Sequence, residues 1–307
     1  MTYRPSAINR NRQGDPLVTV GMPVYNAGRY LRAAVLSLIN QSFTSWELIL
    51  IDDASTDDSV NSIRDIKDTR IRIIAGVENR GLAMRLNEAI GLARGKYFAR
   101  MDQDDLCHPD RFARQTTFLN SHHDIDLVGT KCIAIDESST IIGCLPFAIE
   151  HGAICRWPFA GFNLPHPSWM GRTTWFQQHG YASPSPYFCE DQELLLRTHK
   201  QSHFHSLPEA LLAYRVQSGV KWGKRCRTWM ALLRLQTAYF FKQKEFHLLL
   251  MAALVAAIRV LRDTLWLFIP IGQLGVNRLK RNAEVDEFIA YWESALPRWG
   301  RETKRWS

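Results

Sequence analysis

The chain has 307 residues, 46% hydrophobic and 22% charged, with no low-complexity segment or internal repeat, a composition that suits a folded globular protein. Its net charge of +8 invites nucleic acid as a partner, but residues 221–307 hold 16 Lys and Arg against 7 Asp and Glu, while residues 1–220 hold 22 against 23. The main body is therefore near neutral and nucleic acid is not expected as a partner. Six cysteines, Cys107, Cys132, Cys144, Cys155, Cys189 and Cys226, are scattered without a C-x-x-C pair, which argues against a structural zinc site or a disulfide framework. The polar, basic start (MTYRPSAINRNRQGDP) has no apolar signal-peptide core, so a cytoplasmic location is expected.

Residues 17–22 (LVTVGM) form a short β-branched run ended by Pro23 and read as a buried strand. Residues 29–40 follow with Leu31, Ala34, Val35, Leu38 and Ile39 at helical spacing. Residues 46–51 (WELILI) predict a second strand, stopped by the polar run 52–59. Ile63 and Ile66 suggest a short helix, and residues 71–75 a third strand. Residues 81–93 are helical in pattern, with Leu82, Leu86, Ala89, Ile90 and Ala93 on one face; residues 96–101 (KYFARM) predict a fourth strand that runs into Asp102. Strands alternating with helices predict a mostly parallel sheet covered on both faces, with ligands beyond the carboxyl ends of the strands. Polar clusters fall at those ends: Tyr25-Asn26, Asp52-Asp53, Asn79-Arg80-Gly81 and Asp102-Gln103-Asp104-Asp105. Four such clusters predict one site.

Asp102-x-Asp104, with Asp105 beside it, offers carboxylate oxygens of the kind that hard Mg²⁺ or Mn²⁺ ions prefer and bridge to a diphosphate. The same residues also suit a solvated turn before a helix beginning near Pro109. Asp52-Asp53 follows an apolar strand directly, where a carboxylate can accept a hydrogen bond from a base N–H; Ser55 and Asp57 suit turn and capping roles. Arg85, in the first half of a predicted helix, can face an anionic phosphate or simply solvent. No G-x-G-x-x-G follows the first strand, where the turn reads PVYNAG, which disfavours a dinucleotide-dependent oxidoreductase.

Residues 18–26 (VTVGMPVYN), 49–57 (ILIDDASTD), 79–87 (NRGLAMRLN), 93–105 (ARGKYFARMDQDD) and 190–197 (EDQELLLR) resemble, in order and spacing, the family 2 glycosyltransferases. The resemblance covers residues 17–214 and is specific as a set. It implies an α/β fold of the GT-A type with a mostly parallel sheet flanked by helices, a nucleotide-sugar donor, a divalent metal (Mn²⁺ or Mg²⁺) and inversion at the anomeric carbon. Carried over position by position, it implies that Pro23, Tyr25 and Asn26 line the nucleoside pocket and that Asp53 or Asp52 contacts the base. It further implies that Arg85 approaches the base or phosphates, that Asp102 sits near the ribose with Gln103 beside it, and that Asp104 reaches the metal. Asp191 is the implied general base, ahead of Glu190. His166 and Glu190 are candidates on the acceptor side. Ala54 stands where many members have Gly, a departure that should fit the turn. Tyr214-Arg215, near the end of the second half, can close over the diphosphate, although an ordinary surface position suits the arginine better. A nucleotidyltransferase-like enzyme, or a non-catalytic nucleotide-binding protein, would share the sheet and the acidic site and is the alternative.

The expected organisation is an N-terminal extension (1–16), a catalytic domain (17–220, nucleotide-binding to 105 and acceptor-side beyond) and a basic, apolar, helical C-terminal region (221–307). Residues 247–258 (HLLLMAALVAAI) and 264–276 are apolar runs too short to span a bilayer. Lys242, Lys244, Arg259, Arg262, Arg278, Lys280 and Arg281 flank them, a pattern that suits either the headgroup region of an anionic membrane or packing on the enzyme. A glycan or lipid-linked acceptor, a place at the inner membrane face and a role in surface polysaccharide or lipopolysaccharide assembly are the matching expectations.

Overall fold

The computed structural model describes residues 14–216, 222–265 and 286–305. The first 13 residues, most of the second apolar run, and Arg278, Lys280 and Arg281 lie outside the described residues.

Strand periodicity puts alternate residues on opposite faces of a sheet, and here both faces are covered. Strands β1 (Val18–Val24), β2 (Trp46–Asp52), β3 (Ile71–Ala75) and β4 (Tyr97–Arg100) run parallel in the spatial order β3-β2-β1-β4. Val18, Val20, Met22, Leu48 and Leu50 enter one core with helix α1 (Leu31–Ile39), whereas Ile49, Ile51 and Phe98 enter a second with α2 (Leu82–Leu92). Gly21 lies between them because a Cβ there would run into the Phe98 ring. The predicted helix over 29–40 begins as a 3-10 turn (Gly28–Tyr30), and the one around Ile63 is only a 3-10 turn (Val60–Ile63).

β1 extends through Pro23, which was expected to end it. Gly21 bonds to the β4 side through its carbonyl and Met101 N–H. Pro23, two residues on, faces the same side, where the ladder with β4 has already stopped at Arg100. The missing proline donor therefore breaks no pairing.

Beyond β4 the sheet becomes mixed. After the two-residue β5 (Leu106–Cys107) and α3 (Arg111–Ser121) come β6 (Leu127–Ile135), β7 (Ile141–Cys144), the short α4 (His151–Ile154), β8 (Met170–Arg172), α5 (Thr173–His179), α6 (Glu190–Thr198) and β9 (Phe204–Arg215). The order continues β4-β8-β6-β9-β5, with β8 antiparallel to β4 and β6, and β6 parallel to β9. Helices α7 (Trp222–Lys242) and α8 (Phe246–Leu265) pair as a hairpin whose Phe240 and Ala252 join the second core beside Leu194 and Leu195 of α6. Helix α9 (Asp286–Arg305), which no periodicity had singled out, covers the opposite face. Its Trp292 is fully buried and donates to the Ala210 carbonyl at 2.6 Å. The C-terminal region thus packs on both faces of the sheet.

Candidate active site

The loops after β1, β2 and β3 are stitched together by short polar side chains. Asn26, at φ +48°, accepts from Thr56 N–H at 2.8 Å and donates its own N–H to Ser55. Asp57 accepts from Gly28 N–H, and Asp52 from Ser55 N–H. Ala54 takes φ +61°, so the position expected to accommodate alanine does so only in left-handed backbone. Asn26 and Asp52 therefore shape these turns, and neither lines the hollow that their neighbours form.

That hollow, of about 480 Å³, is lined by Pro23, Tyr25, Asp53, Asp102, Gln103 and Asp104, joined by Leu82, Phe188, Tyr214, Arg215 and Lys224. Gln103 closes its edge by exchanging two hydrogen bonds with the Tyr25 backbone, at 2.6 and 3.0 Å. Asp53 is buried and accepts from Arg80 N–H, Gly81 N–H and the Arg85 guanidinium at 2.6–2.8 Å. Arg85 is buried too, and it also binds Glu88 and the Glu78 carbonyl. It does not face solvent and is not among the residues that line the hollow; it anchors Asp53, and breaking such a buried pair costs about 3–5 kcal/mol. Gly76 makes room for it, since a Cβ there would strike the guanidinium.

At the end of β4 the acidic run divides by environment. Asp102 pairs with Arg100, and both line the cleft. Asp104 is half-buried, and burial together with the charge of Asp102 pushes its carboxyl up to about 6. Asp105 is fully buried beneath the cleft, accepts from Arg215 N–H, and is held well above the usual carboxylate range by burial and by its two acidic neighbours. It is a structural acid and contributes nothing to the lining. Arg215, expected at the surface, is 3% exposed and pinned by the Asp104 and Asp136 carbonyls, Ser139 and the Tyr30 ring.

A second hollow, about 510 Å³, adjoins the first and shares Leu82, Asp102, Phe188 and Tyr214 with it. Arg100, His166, Glu190 and Asp191 stand in its wall. α6 begins at Glu190, so both carboxylates sit in the first turn, where the helix dipole favours negative charge. Burial still raises both: with Asp191 beside it, Glu190 is pushed up to about 7, and Asp191 is raised as well. Gln192 donates to Asp191 at 3.0 Å. The His166 ring bonds Tyr181 Oη at 2.8 Å and lies 4.0 Å from Glu190. Burial, then Arg100, hold its pKa well below the ordinary histidine value, so it is a neutral wall residue and offers no positive charge to a phosphate.

Sequence reasoning missed Arg100, Phe188 and Lys224 as lining residues, whereas Tyr214, singled out beside Arg215, lines both hollows. Arg100 had a signal, a charge inside an otherwise apolar strand two residues before Asp102. Phe188 and Lys224 had none, because they meet only through tertiary packing, the lysine lying 4.2 Å over the ring.

Among the described residues no three His, Cys, Asp or Glu side chains converge to hold a metal ion by themselves. Asp104, with its carboxyl raised partly by Asp102 and open to the cleft, suits a divalent ion whose remaining ligands are diphosphate oxygens and water.

The family model "Glycosyl transferase family 2" matches residues 19–200. The chain belongs to this family. As a family 2 glycosyltransferase it is 35% identical over 211 residues to a Bacillus subtilis protein named as a glycosyltransferase, EpsE, an alignment covering 66% of this chain and 74% of that protein. Two solved structures share the fold. S. aureus TarS 1-349 in complex with UDP-GlcNAc matches 72% of this glycosyltransferase and 66% of that chain, at 17% identity and a TM-score of 0.55. Mannosyltransferase PcManGT from Pyrobaculum calidifontis, in complex with GDP-Man and Mn²⁺, matches 98% and 90% at 16% identity and a TM-score of 0.57. The sheet and its helices are thus of the GT-A type.

Proposed function

We propose that this glycosyltransferase moves a sugar, with inversion, from a nucleoside-diphosphate donor of the UDP-sugar type to a hydroxyl of a glycan or lipid-linked acceptor, in assembly of a surface polysaccharide or lipopolysaccharide. The observation that carries this reading is the continuity of the two hollows through Asp102, Phe188 and Tyr214. A nucleoside bound among Pro23, Tyr25 and Asp53 directs its sugar past Asp102 toward the acidic turn of α6.

Asp53, held by Arg85 and two N–H groups, presents a fixed acceptor to the base. Asp102 lies by the ribose, and Asp104 is the protein ligand for a divalent ion. When bound, such an ion neutralises charge on the departing diphosphate. Asp191 takes the proton from the acceptor hydroxyl as that oxygen bonds to the anomeric carbon and the bond to the diphosphate breaks. A single displacement, with the acceptor oxygen entering opposite the departing diphosphate, gives inversion. Glu190 shares the raised carboxylate range and stands beside the base, while neutral His166 and Tyr181 shape the wall.

The test is Asp191→Asn, which keeps the shape and loses the basicity. Donor binding should be retained while transfer falls about 100-fold or more. Full turnover in Asp191→Asn together with loss in Glu190→Gln would assign the base to Glu190 instead.

A further inference from the structure

Helix α8 is built inside out. An exposed helix ordinarily turns its polar residues to water. Here Asp263 is 1% exposed, pinned by Arg225, Trp229 and Arg262, and Arg259 is turned inward to the Ala160 carbonyl at 2.6 Å, over the Trp229 ring. Phe246, Leu250, Leu254, Ile258, Leu261 and Leu265, at steps of three and four, point outward, with Leu250 70% and Leu261 60% exposed. No described residue covers this ridge, which runs the 20-residue length of the helix, about 30 Å. Contiguous apolar surface of that extent marks a docking face.

Charge indicates the kind of partner. On the same hairpin, α7 and the turn into α8 expose Arg227, Arg234, Lys242 and Lys244. The two acids within 222–265, Glu245 and Asp263, are both engaged, by Lys200 and by the arginines above. A second copy of the chain laid on this face would bring like charges together around the apolar contact. An anionic lipid surface supplies both an apolar layer for the ridge and phosphates for the cations.

We infer that the outer face of the α7–α8 hairpin docks on an anionic membrane surface, α8 lying in the plane of the headgroups. Among the described residues no helix is long and apolar enough to cross a membrane, so the contact is interfacial. The hairpin is braced against the cleft: Gln236 donates to the Pro158 carbonyl, Cys189 Sγ to the Thr228 carbonyl, and Lys224 lines the nucleotide side. Docking therefore holds the cleft beside the headgroups, where a lipid-linked acceptor would present its hydroxyl. The docking itself does not rest on the proposed transfer reaction, because it is measured without donor or acceptor.

Co-sedimentation of the full chain with phosphatidylcholine vesicles, with and without phosphatidylglycerol, tests it. Binding is expected with the anionic vesicles, weakening as salt rises and by about fivefold for each cation removed in Arg227→Gln and Arg234→Gln. Leu254→Glu with Leu261→Glu should abolish it while leaving the melting temperature and nucleotide binding unchanged. Failure of the folded wild-type chain to bind anionic vesicles would overturn the inference. So would a dimer in solution that the double glutamate variant dissociates while vesicle binding is absent, which would make the ridge an interface between copies.

Discussion

Ala54 occupies the left-handed region, which costs an L-residue about 1–2 kcal/mol and glycine almost nothing. It stays there because Asp52 holds Ser55 N–H and Asp53 N–H holds the Val24 carbonyl, so the turn that aims Asp53 is fixed on both sides. Ala54→Gly should therefore raise stability by about 1 kcal/mol, a few degrees in thermal midpoint. A thermal melt showing no gain would mean that the turn relaxes around the alanine at no cost. Such local strain was not legible beforehand. The motif gave Asp52 and Asp53 equal standing, and only the hydrogen bonds separate a turn-former from a cleft residue. Arg85 shows the same limit, since its partner lies 32 positions away at the end of a different strand.

At the scale of elements, β4 does more than deliver Asp102. Phe98 and Arg100, two apart, share the face turned to α6, and Arg100 is 3% exposed with Nε and Nη1 lacking a hydrogen-bond partner among the described residues. Its charge survives burial because Asp102, Asp105 and Glu190 surround it. In return it helps hold Glu190 and Asp191 ionised. Arg100→Met should cost about 3 kcal/mol through the uncompensated acids. It should also move the acidic limb of the activity profile to higher pH. A profile unmoved in the surviving enzyme would reduce Arg100 to a packing role. The four parallel strands and the helices α1, α2 and α6 were legible because their apolar periodicities are unmixed and polar residues mark their ends. Pro23 misplaced the end of β1 because a proline costs a strand nothing where the neighbouring ladder has stopped. Helix α9 was legible only as part of a helical C-terminal region: Phe288, Ile289, Trp292, Leu296 and Trp299 recur at helical spacing, but the face of the sheet they cover is set by tertiary packing alone.

Over the whole molecule, the cleft concentrates carboxylates whose charge folding makes unfavourable. Glu190 is raised from 4.5 to about 7, so between those values the folded chain holds a proton that the unfolded chain has released. Stability from this group accordingly falls as pH rises through that window. Glu190→Gln should melt several degrees above the wild type at pH 8 and alongside it below pH 4.5. A variant less stable at pH 8 would show that the carboxylate is satisfied and not strained. Asp191, the proposed base, is raised as well, so transfer should run the opposite way and rise with pH as that carboxylate ionises. Site and stability are thus opposed in one helix turn, as expected where a buried group is kept for chemistry. The acidic and aromatic motifs made much of the lining of the first hollow legible in sequence. The wall of the second hollow was less so, because His166, Tyr181 and Arg100 meet only when β4, α6 and the loops before β8 and α6 pack together.

A nucleoside-diphosphate site completed by a divalent ion at Asp104 is open to calorimetric titration. The full chain and its Asp104→Ala variant would each be titrated with UDP and GDP, with and without Mn²⁺. Micromolar binding of one diphosphate by the wild type is expected, roughly tenfold or more tighter with the ion, and no effect of the ion in the variant. Absence of binding to either diphosphate by the folded wild-type chain, or an undiminished effect of Mn²⁺ in Asp104→Ala, would contradict it.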